Sequence, residues 1–417
     1  PASSICAILS AMTAANAQIS QTLVLPYLNH AVRMYEEGYA SRADIDAGMR
    51  FGCGYPVGPL ATIDATGVDV VRDALAARYA ETGDPLHKPA DLLEKLVAEG
   101  RTGRAAGRGL YTYADGEVVD DEEAPSADSA PQLRHQISTV GVVGTGTMAS
   151  GIVEVFAKAG YDVVYVGRSD EKVAGVRAGI EKSLDKAIAK GKFEESAKGD
   201  VLARLTPATS REALADVDLV VEAIAEDLAV KTELFADLDR ICRAGAILAT
   251  TTSSLPITAC ADATSRPEAV IGMHFFNPAP VMKLVEVVTT DATAADVDET
   301  VRALCKAVGK VAVSCGDRAG FIVNALLFPY LNDAVKLAEA GEHDLTTIDE
   351  AIKAEAGFPM GPFQLLDVVG NDVSLAIQKE LFEEFKEPGL APAATLEQVV
   401  AEGRLGRKTG KGFHDYS

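Results

Sequence analysis

The sequence has no apolar run near the roughly 18 residues that would span a membrane, and it is poor in basic residues. Lys and Arg number 39 against 61 Asp and Glu, which gives a formal net charge of −22 over 417 residues. Nucleic acids are bound through basic surfaces, so this balance opposes a nucleic-acid partner. The missing apolar run argues against a membrane partner. An anionic ligand would need a local basic pocket.

The six cysteines show neither C-x-x-C spacing nor neighbouring His ligands. We therefore expect reduced thiols in a cytoplasmic protein, with no disulfide framework and no metal site. The first Lys or Arg is Arg33, so the N-terminus lacks the basic region of a signal peptide. The sequence begins at Pro1, and Met12 is a candidate natural start, which would make the first dozen residues a processing or cloning remnant.

A unit of about 100 residues occurs twice, at an offset of 303. The stretch PYLNHAV at 26–32 returns as PYLNDAV at 329–335, and AEGRTGRAAGRGLYTY at 98–113 returns as AEGRLGRKTGKGFHDY at 401–416. Apolar residues at helical spacing predict a small helical domain in each copy. Domains of this kind often pair through apolar faces.

The chain between the copies changes character twice. Residues 114–136 are rich in acidic residues, Pro, Ser and Ala without an apolar period, which predicts a flexible linker. From Ile137 to about Cys315, predicted strands alternate with helices. We therefore expect a helical copy at 1–113, the linker at 114–136, an α/β domain at 137–315 and a second helical copy at 316–417.

The α/β segment opens with a dinucleotide fingerprint. An apolar run from Ile137 is followed by a Gly-rich turn, an amphipathic helix and a second apolar run, which is the context that G-x-G-x-x-G/A requires. Gly144 permits the tight turn, and Gly146 lets the backbone approach a pyrophosphate. The candidate site continues at the helix start with Thr147, Met148 and Ala149, where N–H groups and the helix dipole favour an anion.

The second predicted strand ends in Gly167-Arg168-Ser169, without the carboxylate that NAD sites usually place there. Arg168 can pair with a ribose 2′-phosphate, so the sequence favours NADP. NAD held by other contacts, with Arg168 as a surface residue, stays open.

His274 ends an apolar run, and Glu286 lies among apolar residues of the next predicted strand. A buried carboxylate needs a partner, and His274 is the available one. A carboxylate–imidazole pair can serve as a general base near neutral pH. On spacing alone, an ordinary core histidine is equally open.

Seven motifs together resemble the L-3-hydroxyacyl-CoA dehydrogenase family, of the 3-hydroxybutyryl-CoA dehydrogenase-like kind. They are GTGTMASGI, VEAIAEDLAVKTELF, TTSSLPIT, HFFNPAPVMKLVEVV, DRAGFIVNALLFPYLN, GFPMGPFQLLD and GRKTGKGF, in family order across residues 137–417. The first copy resembles the family's C-terminal domain alone. The resemblance implies a Rossmann-type dinucleotide-binding domain with a CoA-binding helical hairpin, plus two all-α C-terminal-type domains.

The resemblance also implies the reaction, in which an (S)-3-hydroxyacyl-CoA and a 3-ketoacyl-CoA interconvert by hydride transfer with NAD or NADP. A short-chain pair such as 3-hydroxybutyryl-CoA and acetoacetyl-CoA is expected. His274 matches the catalytic base, and Glu286 matches the carboxylate that orients it. Ser253 matches the serine that bonds the substrate oxygen near the nicotinamide, and Asn324 matches the asparagine that polarises the reacting carbonyl.

Other matches concern the cofactor and CoA. Glu226 and Lys231 match residues that contact the cofactor's ribose and phosphates, and Asn277 matches one near the nicotinamide. Ser183 and Lys190 match a Ser and a Lys that bind CoA.

Lys190 shares a helical stripe with Lys182 and Lys186, at spacings of four residues. By its charge alone this stripe could equally be a solvated helix face.

The first copy carries Gln21 where the second carries Asn324, so we expect it to be non-catalytic. Relatives dimerise through their C-terminal domain, which predicts an intramolecular pseudo-dimer of the two copies, with a homodimer as the alternative. Two other functions stay open, a catalytically silent CoA- or dinucleotide-binding protein and a crystallin-like sugar-acid dehydrogenase.

Overall fold

The computed structural model describes residues 2–119 and 130–416, and the side chains of residues 14–119 and 130–416. The side chain of Met12 and the middle of the predicted linker, residues 120–129, lie outside this part of the chain. Two compact units are present: one combines Pro1–Ala124 with Ile322–Ser417, and the other is Pro125–Phe321. Among the described helices, none is long and apolar enough to cross a membrane.

The first copy consists of five helices and a short hairpin. The helices are α1 (Ala2–Glu36), α2 (Arg42–Cys53), α3 (Pro59–Thr66), α4 (Val68–Thr82) and α5 (Asp91–Ala98), and the antiparallel hairpin pairs β1 (Tyr113–Ala114) with β2 (Glu117–Val118). The hairpin corrects the linker prediction, which had placed a flexible segment from residue 114. Asp115 and Gly116 form its turn with φ of 53° and 81°. Asp-Gly is a strong hairpin signal that the acidic composition of this segment concealed.

The second copy repeats the five helices. They are α12 (Val323–Glu339), α13 (Leu345–Glu355), α14 (Pro362–Val369), α15 (Asn371–Phe385) and α16 (Ala394–Ala401). Both α3 and α14 begin with a proline after a glycine. Proline is favoured at the first helical position, where its missing N–H costs no helical hydrogen bond.

The repeated C-terminal stretch of each copy folds over a buried carboxylate. Asp64 and Asp367, each 1% exposed, accept hydrogen bonds from two backbone N–H groups and one tyrosine hydroxyl of that stretch. The donors are Leu110, Tyr111 and Tyr113 in the first copy, and Phe413, His414 and Tyr416 in the second. A Cβ at Gly109 or Gly412 would overlap the carboxylate. The glycine-rich stretch is therefore repeated because only glycine allows this approach.

The two copies pack against each other within their unit. Helix α1 contacts α12 and α13, and α2 contacts α12. Tyr27 lies 6.2 Å from Tyr330 between ring centroids, and Tyr55 stacks on Phe358 at 3.6 Å with 7° between the planes. Each pair joins a residue to its own equivalent 303 positions later, which is what residues beside a two-fold axis do. The copies are therefore related by an approximate two-fold within one chain.

The middle unit contains one eight-stranded sheet in the order β10-β9-β8-β7-β6-β3-β4-β5, parallel except between β8 and β9. Its strands are β3 (Thr139–Val143), β4 (Asp162–Val166), β5 (Leu205–Ala208), β6 (Leu219–Glu222), β7 (Ile247–Thr250), β8 (Val270–Phe275), β9 (Leu284–Thr289) and β10 (Val311–Gly316). The central strands are almost wholly buried, as expected for a sheet covered on both faces. Strand order reverses at β3, which opens a crevice beyond the carboxyl ends of the strands.

Six α-helices of the described residues accompany this sheet. They are α6 (Thr147–Lys158), α7 (Asp170–Ala189), α8 (Glu195–Ala203), α9 (Leu228–Ile241), α10 (Ile257–Asp262) and α11 (Ala295–Ala307). The predicted helical hairpin is formed by α7 and α8.

The far end of the predicted linker is anchored on α11. Arg134 pairs with Glu299 at 2.7 Å, and His135 Nε2 lies 2.9 Å from Asp296 Oδ2. The backbone N–H groups of Arg134 and His135 both donate to the Thr300 hydroxyl. The prediction of a flexible linker is therefore wrong here as well, because the acidic face of α11 that holds these residues is distant in sequence.

Candidate active site

The glycine-rich turn links β3 to α6 in the geometry that the fingerprint requires. Gly144 has φ of 133°, and a Cβ there would collide with the carbonyl oxygen of Ala223. A Cβ at Gly146 would meet no protein atom within 4 Å. Gly144 is therefore required for the turn, whereas Gly146 faces open space into which a ligand phosphate can approach.

Helix α6 begins directly after Gly146, so its first N–H groups belong to Thr147, Met148 and Ala149. These groups have no carbonyl one helical turn earlier to bond, and with the helix dipole they favour an anion. Ala149 is fully buried, and its Cβ would lie 3.2 Å from a Cβ at Gly144. A small residue is needed at this third fingerprint position, and alanine fits it.

Arg168 lies just beyond β4, the strand next to β3, and its side chain is exposed. The following residue, Ser169, caps α7 by accepting a hydrogen bond from the Lys172 N–H. Arg168 has no ion pair or hydrogen bond with any residue in the described parts of the chain. The guanidinium is therefore free at the end of the strand where cofactors of this fold place the ribose.

His274 and Glu286 are cross-strand partners. In the antiparallel pairing of β8 with β9, the two residues stand directly opposite each other. The His274 Nδ1 lies 2.7 Å from Glu286 Oε2. His274 is 6% exposed and Glu286 is fully buried. An ionised carboxylate can only accept, so Nδ1 carries the proton and Nε2 of a neutral ring is left free to accept one.

Aromatic rings surround this imidazole. The Phe276 ring centroid lies 4.6 Å from that of His274, and the Phe321 centroid lies at 5.6 Å. The next residue of β8, Phe275, donates its N–H to the Thr251 hydroxyl at 3.1 Å. The rings limit water around the imidazole, and Thr251 connects β8 to the loop that carries Ser253.

A buried charge cluster lies at the ends of β6 and β7. Lys231, 1% exposed, places its Nζ 2.6 Å from Glu222 and 3.1 Å from Glu226. Glu222 is fully buried and also accepts from the Thr250 hydroxyl at 2.6 Å. Glu222 was not among the residues selected from the sequence. The sequence did contain a signal for Glu222. It directly follows the apolar run at 219–221, and a carboxylate beside such a run is expected to be buried, as Glu286 is.

Glu226 fixes the loop of Ser253. Its carboxylate accepts the Ser253 N–H at 3.0 Å and the hydroxyl of Thr252. Burial raises the pKa of Glu226, but Lys231 and these donors outweigh burial and hold the pKa below its usual range. Sequence matching gave Glu226 and Lys231 to the cofactor. In the structure both are engaged with protein groups, and Lys231 in particular is enclosed.

A second buried lysine was also missed. Lys310 Nζ donates to the backbone carbonyls of Ala279 and Met282, at 2.5 and 2.7 Å. Burial lowers the pKa of Lys310. These bonds hold the loop that begins with Asn277, whose own side chain is exposed. Lys310 was missed because its hydrogen-bond partners are backbone carbonyls of a loop about 30 residues earlier, and the sequence does not show which carbonyls lack a partner.

The remaining predicted residues lie on two helices. Ser183 is half-buried on α7, and Lys190 follows the end of that helix as an exposed residue. Lys182 and Lys186 are exposed as well, and none of these three lysines pairs with a carboxylate of the described residues. Asn324 is the second residue of α12, in the helical unit, and is 7% exposed.

The middle unit combines a mainly parallel sheet, a glycine turn that can receive a phosphate, and a buried imidazole–carboxylate pair. This combination is that of a nicotinamide-dependent dehydrogenase. The chain belongs to the 3-hydroxyacyl-CoA dehydrogenase family. That family's NAD binding domain matches residues 139–318, and its C-terminal domain matches twice, at residues 19–113 and 320–416.

Similar proteins include 3-hydroxybutyryl-CoA dehydrogenase from Mycobacterium tuberculosis, 45% identical over 67% of this chain and 99% of that protein. Human mitochondrial hydroxyacyl-coenzyme A dehydrogenase is 46% identical over 70% of this chain and 95% of its own. The crystal structure of (S)-3-hydroxybutyryl-CoA dehydrogenase PaaH1 from Ralstonia eutropha has a TM-score of 0.66 and 40% identity, covering 68% of this chain and all of that one. The recognised family and fold are thus confirmed, and this chain is longer than these relatives by about a further helical domain.

We expect Lys231→Met to lower the free energy of unfolding by about 3–5 kcal/mol, because it leaves the buried Glu222 without its cation. Urea unfolding followed by circular dichroism measures the loss, and hydrogen exchange in β6 and β7 assigns it to the middle unit. The exposed Lys172→Met serves as the control and should change stability by less than about 0.5 kcal/mol. Adding Glu222→Leu to Lys231→Met should recover much of the loss. A loss below about 1 kcal/mol in the single variant would contradict the buried pair.

Proposed function

We propose that this protein interconverts (S)-3-hydroxyacyl-CoA and 3-ketoacyl-CoA by hydride transfer with a nicotinamide cofactor. The observation that carries the proposal is the cross-strand pair of His274 and Glu286, 2.7 Å apart and withdrawn from water. Membership of the 3-hydroxyacyl-CoA dehydrogenase family supports it. The relatives from Mycobacterium tuberculosis and Ralstonia eutropha are named 3-hydroxybutyryl-CoA dehydrogenase, which supports a short-chain substrate such as the 3-hydroxybutyryl-CoA and acetoacetyl-CoA pair.

In the oxidative direction, Nε2 of His274 takes the proton of the 3-hydroxyl while the hydride leaves C3. The nicotinamide, when bound, is the acceptor of that hydride. Glu286 holds the ring in the tautomer with Nε2 free and stabilises the imidazolium that forms. In the reductive direction, the imidazolium returns its proton to the carbonyl oxygen as C3 receives the hydride.

Ser253 and Asn324 are the proposed hydrogen-bond donors to the reacting oxygen. A donor aimed at developing charge contributes ~10²-fold or more to kcat when it is held in place beforehand. The Glu226 carboxylate fixes the backbone of Ser253 from one side. The buried Lys231 in turn fixes Glu226, so this charge cluster sets the position of the serine.

Replacing the base or its orienting acid should reduce turnover without abolishing folding. We expect His274→Gln to lower kcat by ~10²–10⁴-fold, the range for a general base, with little change in KM. Glu286→Gln should also lower kcat, because the amide NH2 can donate to Nδ1 and fix the wrong tautomer, and the amide has no charge to stabilise the imidazolium. The rates are followed at 340 nm with acetoacetyl-CoA and each reduced cofactor.

The control for this series is His135→Gln, which removes the surface histidine paired with Asp296 and should leave kcat unchanged. Turnover in His274→Gln at the unaltered rate would refute the proposed base. If the unmodified protein binds acetoacetyl-CoA but oxidises neither NADH nor NADPH, it is a silent binding protein. Oxidation of a sugar acid in place of the thioester would indicate the crystallin-like activity.

We propose further that the preferred cofactor is NADP. Support comes from the free guanidinium of Arg168 beyond β4 and from the lack of a carboxylate in Gly167-Arg168-Ser169. A 2′-phosphate carries charge that an unpaired arginine can bind bidentately. NAD remains the alternative, in keeping with the name of the family's NAD binding domain.

We expect Arg168→Asp to reduce the ratio of kcat/KM for NADPH over NADH by at least about tenfold, since it replaces attraction for the 2′-phosphate with repulsion. Arg177→Asp, which alters an arginine of α7 already paired with Glu181, is the matched control. Steady-state kinetics with both reduced cofactors give the ratio. An unchanged ratio in Arg168→Asp would indicate that Arg168 does not read the ribose.

The proposed CoA site is Ser183 and Lys190 on the α7–α8 hairpin. The lysine stripe that ends in Lys190 is exposed and unpaired among the described residues, whereas Lys198 on the neighbouring helix is neutralised by Asp185 at 2.6 Å. In a chain of net charge −22, three unpaired lysines at one surface are a local attraction for the CoA phosphates.

We also propose that the first copy is a non-catalytic partner of the second, and that the chain acts as a monomer containing a pseudo-dimer. The Tyr55–Phe358 stack and the contacts of α1 with α13 support this. Size-exclusion chromatography with light scattering should give a mass near 43.7 kDa at every concentration. A homodimer with exchanged first copies would instead give twice that mass, and its dissociation on dilution would be visible in the same measurement.

A further inference from the structure

The first helical copy contains a cavity that the proposed chemistry does not use. Its volume is about 410 Å³, and its wall is formed mainly by α1, α3 and the loop before α3. Ligand pockets usually occupy about 300–1,000 Å³ and are lined mostly by apolar side chains with a few polar groups. The size and lining of this cavity are therefore those of a small-molecule site.

The position of the cavity follows from the duplication. Its wall includes Gln21, whose equivalent in the second copy is Asn324, the residue proposed to bond the reacting oxygen. The cavity thus occupies, in the first copy, the place beside the reacting carbonyl in the second. This part of the inference rests on the proposed function, whereas the cavity itself does not.

Smaller side chains open the cavity. At seven wall positions the first copy carries a smaller residue than its equivalent 303 positions later. The pairs are Ser20 with Val323, Val24 with Leu327, Leu25 with Phe328, Val57 with Met360, Thr62 with Leu365, Ala65 with Val368 and Thr66 with Val369. Gln21 and Val71 are the exceptions, since their equivalents Asn324 and Ser374 are smaller. The duplicated domain has therefore lost packing volume around one space while keeping the fold.

The wall chemistry selects a ligand. The lining has one carboxylate, Glu355, and no Lys, Arg or His among the described residues. The hydroxyls of Thr62 and Thr66 donate to the backbone carbonyls four residues earlier, at 2.8 Å each, so these donors are not available to a ligand. A free fatty acid would place its carboxylate near Glu355 without a counter-charge. An unbranched apolar chain with an uncharged carbonyl meets no such penalty.

Tyr27 adds an aromatic ring to this wall. The residue is 3% exposed, and its hydroxyl has no hydrogen-bond partner in the described parts of the chain. The hydroxyl of the equivalent Tyr330 is buried without a partner among the described residues in the same way. Both hydroxyls are closed to solvent, so a ligand in the cavity contacts the ring of Tyr27 and not its oxygen.

We propose that the first copy binds the acyl chain of an acyl thioester in this cavity, as a second and non-catalytic acyl site. A dry aliphatic cavity of about 150 Å³ accommodates benzene, so 410 Å³ has room for a chain of on the order of ten carbons. Gln21 at the exposed rim corresponds to the amide at the second copy's reacting carbonyl. The site takes saturated thioesters as well as substrates, because the proposed contacts are with the aliphatic chain.

The test compares the full-length protein with a variant in which the first copy receives the second copy's larger side chains, Thr62→Leu with Ala65→Val. Decanoyl-CoA is the probe, because it lacks the 3-hydroxyl and does not turn over. Isothermal titration should find one more decanoyl-CoA site per chain in the unmodified protein than in this variant. Ala76→Val, an exposed alanine of α4, is the matched control and should keep that site.

A second variant protects the test against misfolding. Val57→Met adds the second copy's side chain on a loop, at a residue that is 45% exposed, and should weaken the extra site at least tenfold. Decanoic acid should bind at least tenfold more weakly than decanoyl-CoA. Equal stoichiometry and affinity in the unmodified protein and both cavity variants would overturn the site. Equal affinity for the acid and the thioester would overturn the uncharged head group.

Turnover of acetoacetyl-CoA, measured on the same preparations, separates the two proposals. Turnover that persists while the cavity variants bind like the unmodified protein would overturn only the second site. Loss of the extra site in those variants, in a protein without turnover, would support the cavity and overturn the proposed reaction.

Discussion

A fully buried carboxylate must be matched by a donor, and this requirement organises both units of the protein. In the middle unit, Glu286 pairs with the His274 ring, and Glu222 pairs with the ammonium of Lys231. In the helical unit, Asp64 and Asp367 are answered by N–H groups and phenols of the repeated glycine-rich stretch. The same physical demand has thus produced a candidate base in one place, a fixed loop in another, and the closure of two domains.

The duplication shows which features of a domain are tied to its fold and which are not. Both copies keep the buried aspartate, Asp64 or Asp367, and the glycines of the repeated C-terminal stretch. The backbone of that stretch approaches the carboxylate too closely for a side chain to fit. The aromatic residues beside the approximate two-fold are kept in kind, with Tyr55 facing Phe358. Residues around Gln21 and Asn324 differ, since nothing in the fold constrains them once only one copy serves a reaction.

Much of this was accessible from the sequence, for reasons that differ by feature. The glycine turn and the parallel sheet were predictable, because periodicity and Gly144 act locally along the chain. The His274–Glu286 pair was predictable only as one of two equal options. Its spacing of twelve residues becomes a contact through the antiparallel register of β8 and β9, which is a tertiary fact. The roles of Glu222 and Lys310 were missed, because their partners are distant carbonyls and side chains. The linker was misjudged at both ends, where a two-residue turn and the face of α11 supply contacts that composition does not show.

The helical unit is assembled from the two ends of the chain, with the whole middle unit between them. Its first copy is synthesised long before α12 and α13, against which the apolar side of α1 packs. During translation that side must wait, uncovered, while the sheet is made and folds. Once the middle domain has folded, the effective loop between the two ends is shorter. The entropic cost of bringing the two helical copies together is then lower. Nascent chains of this architecture thus pass through a stage in which the middle unit is folded and the N-terminal copy still exposes apolar surface. Molecular chaperones bind such exposed apolar surface.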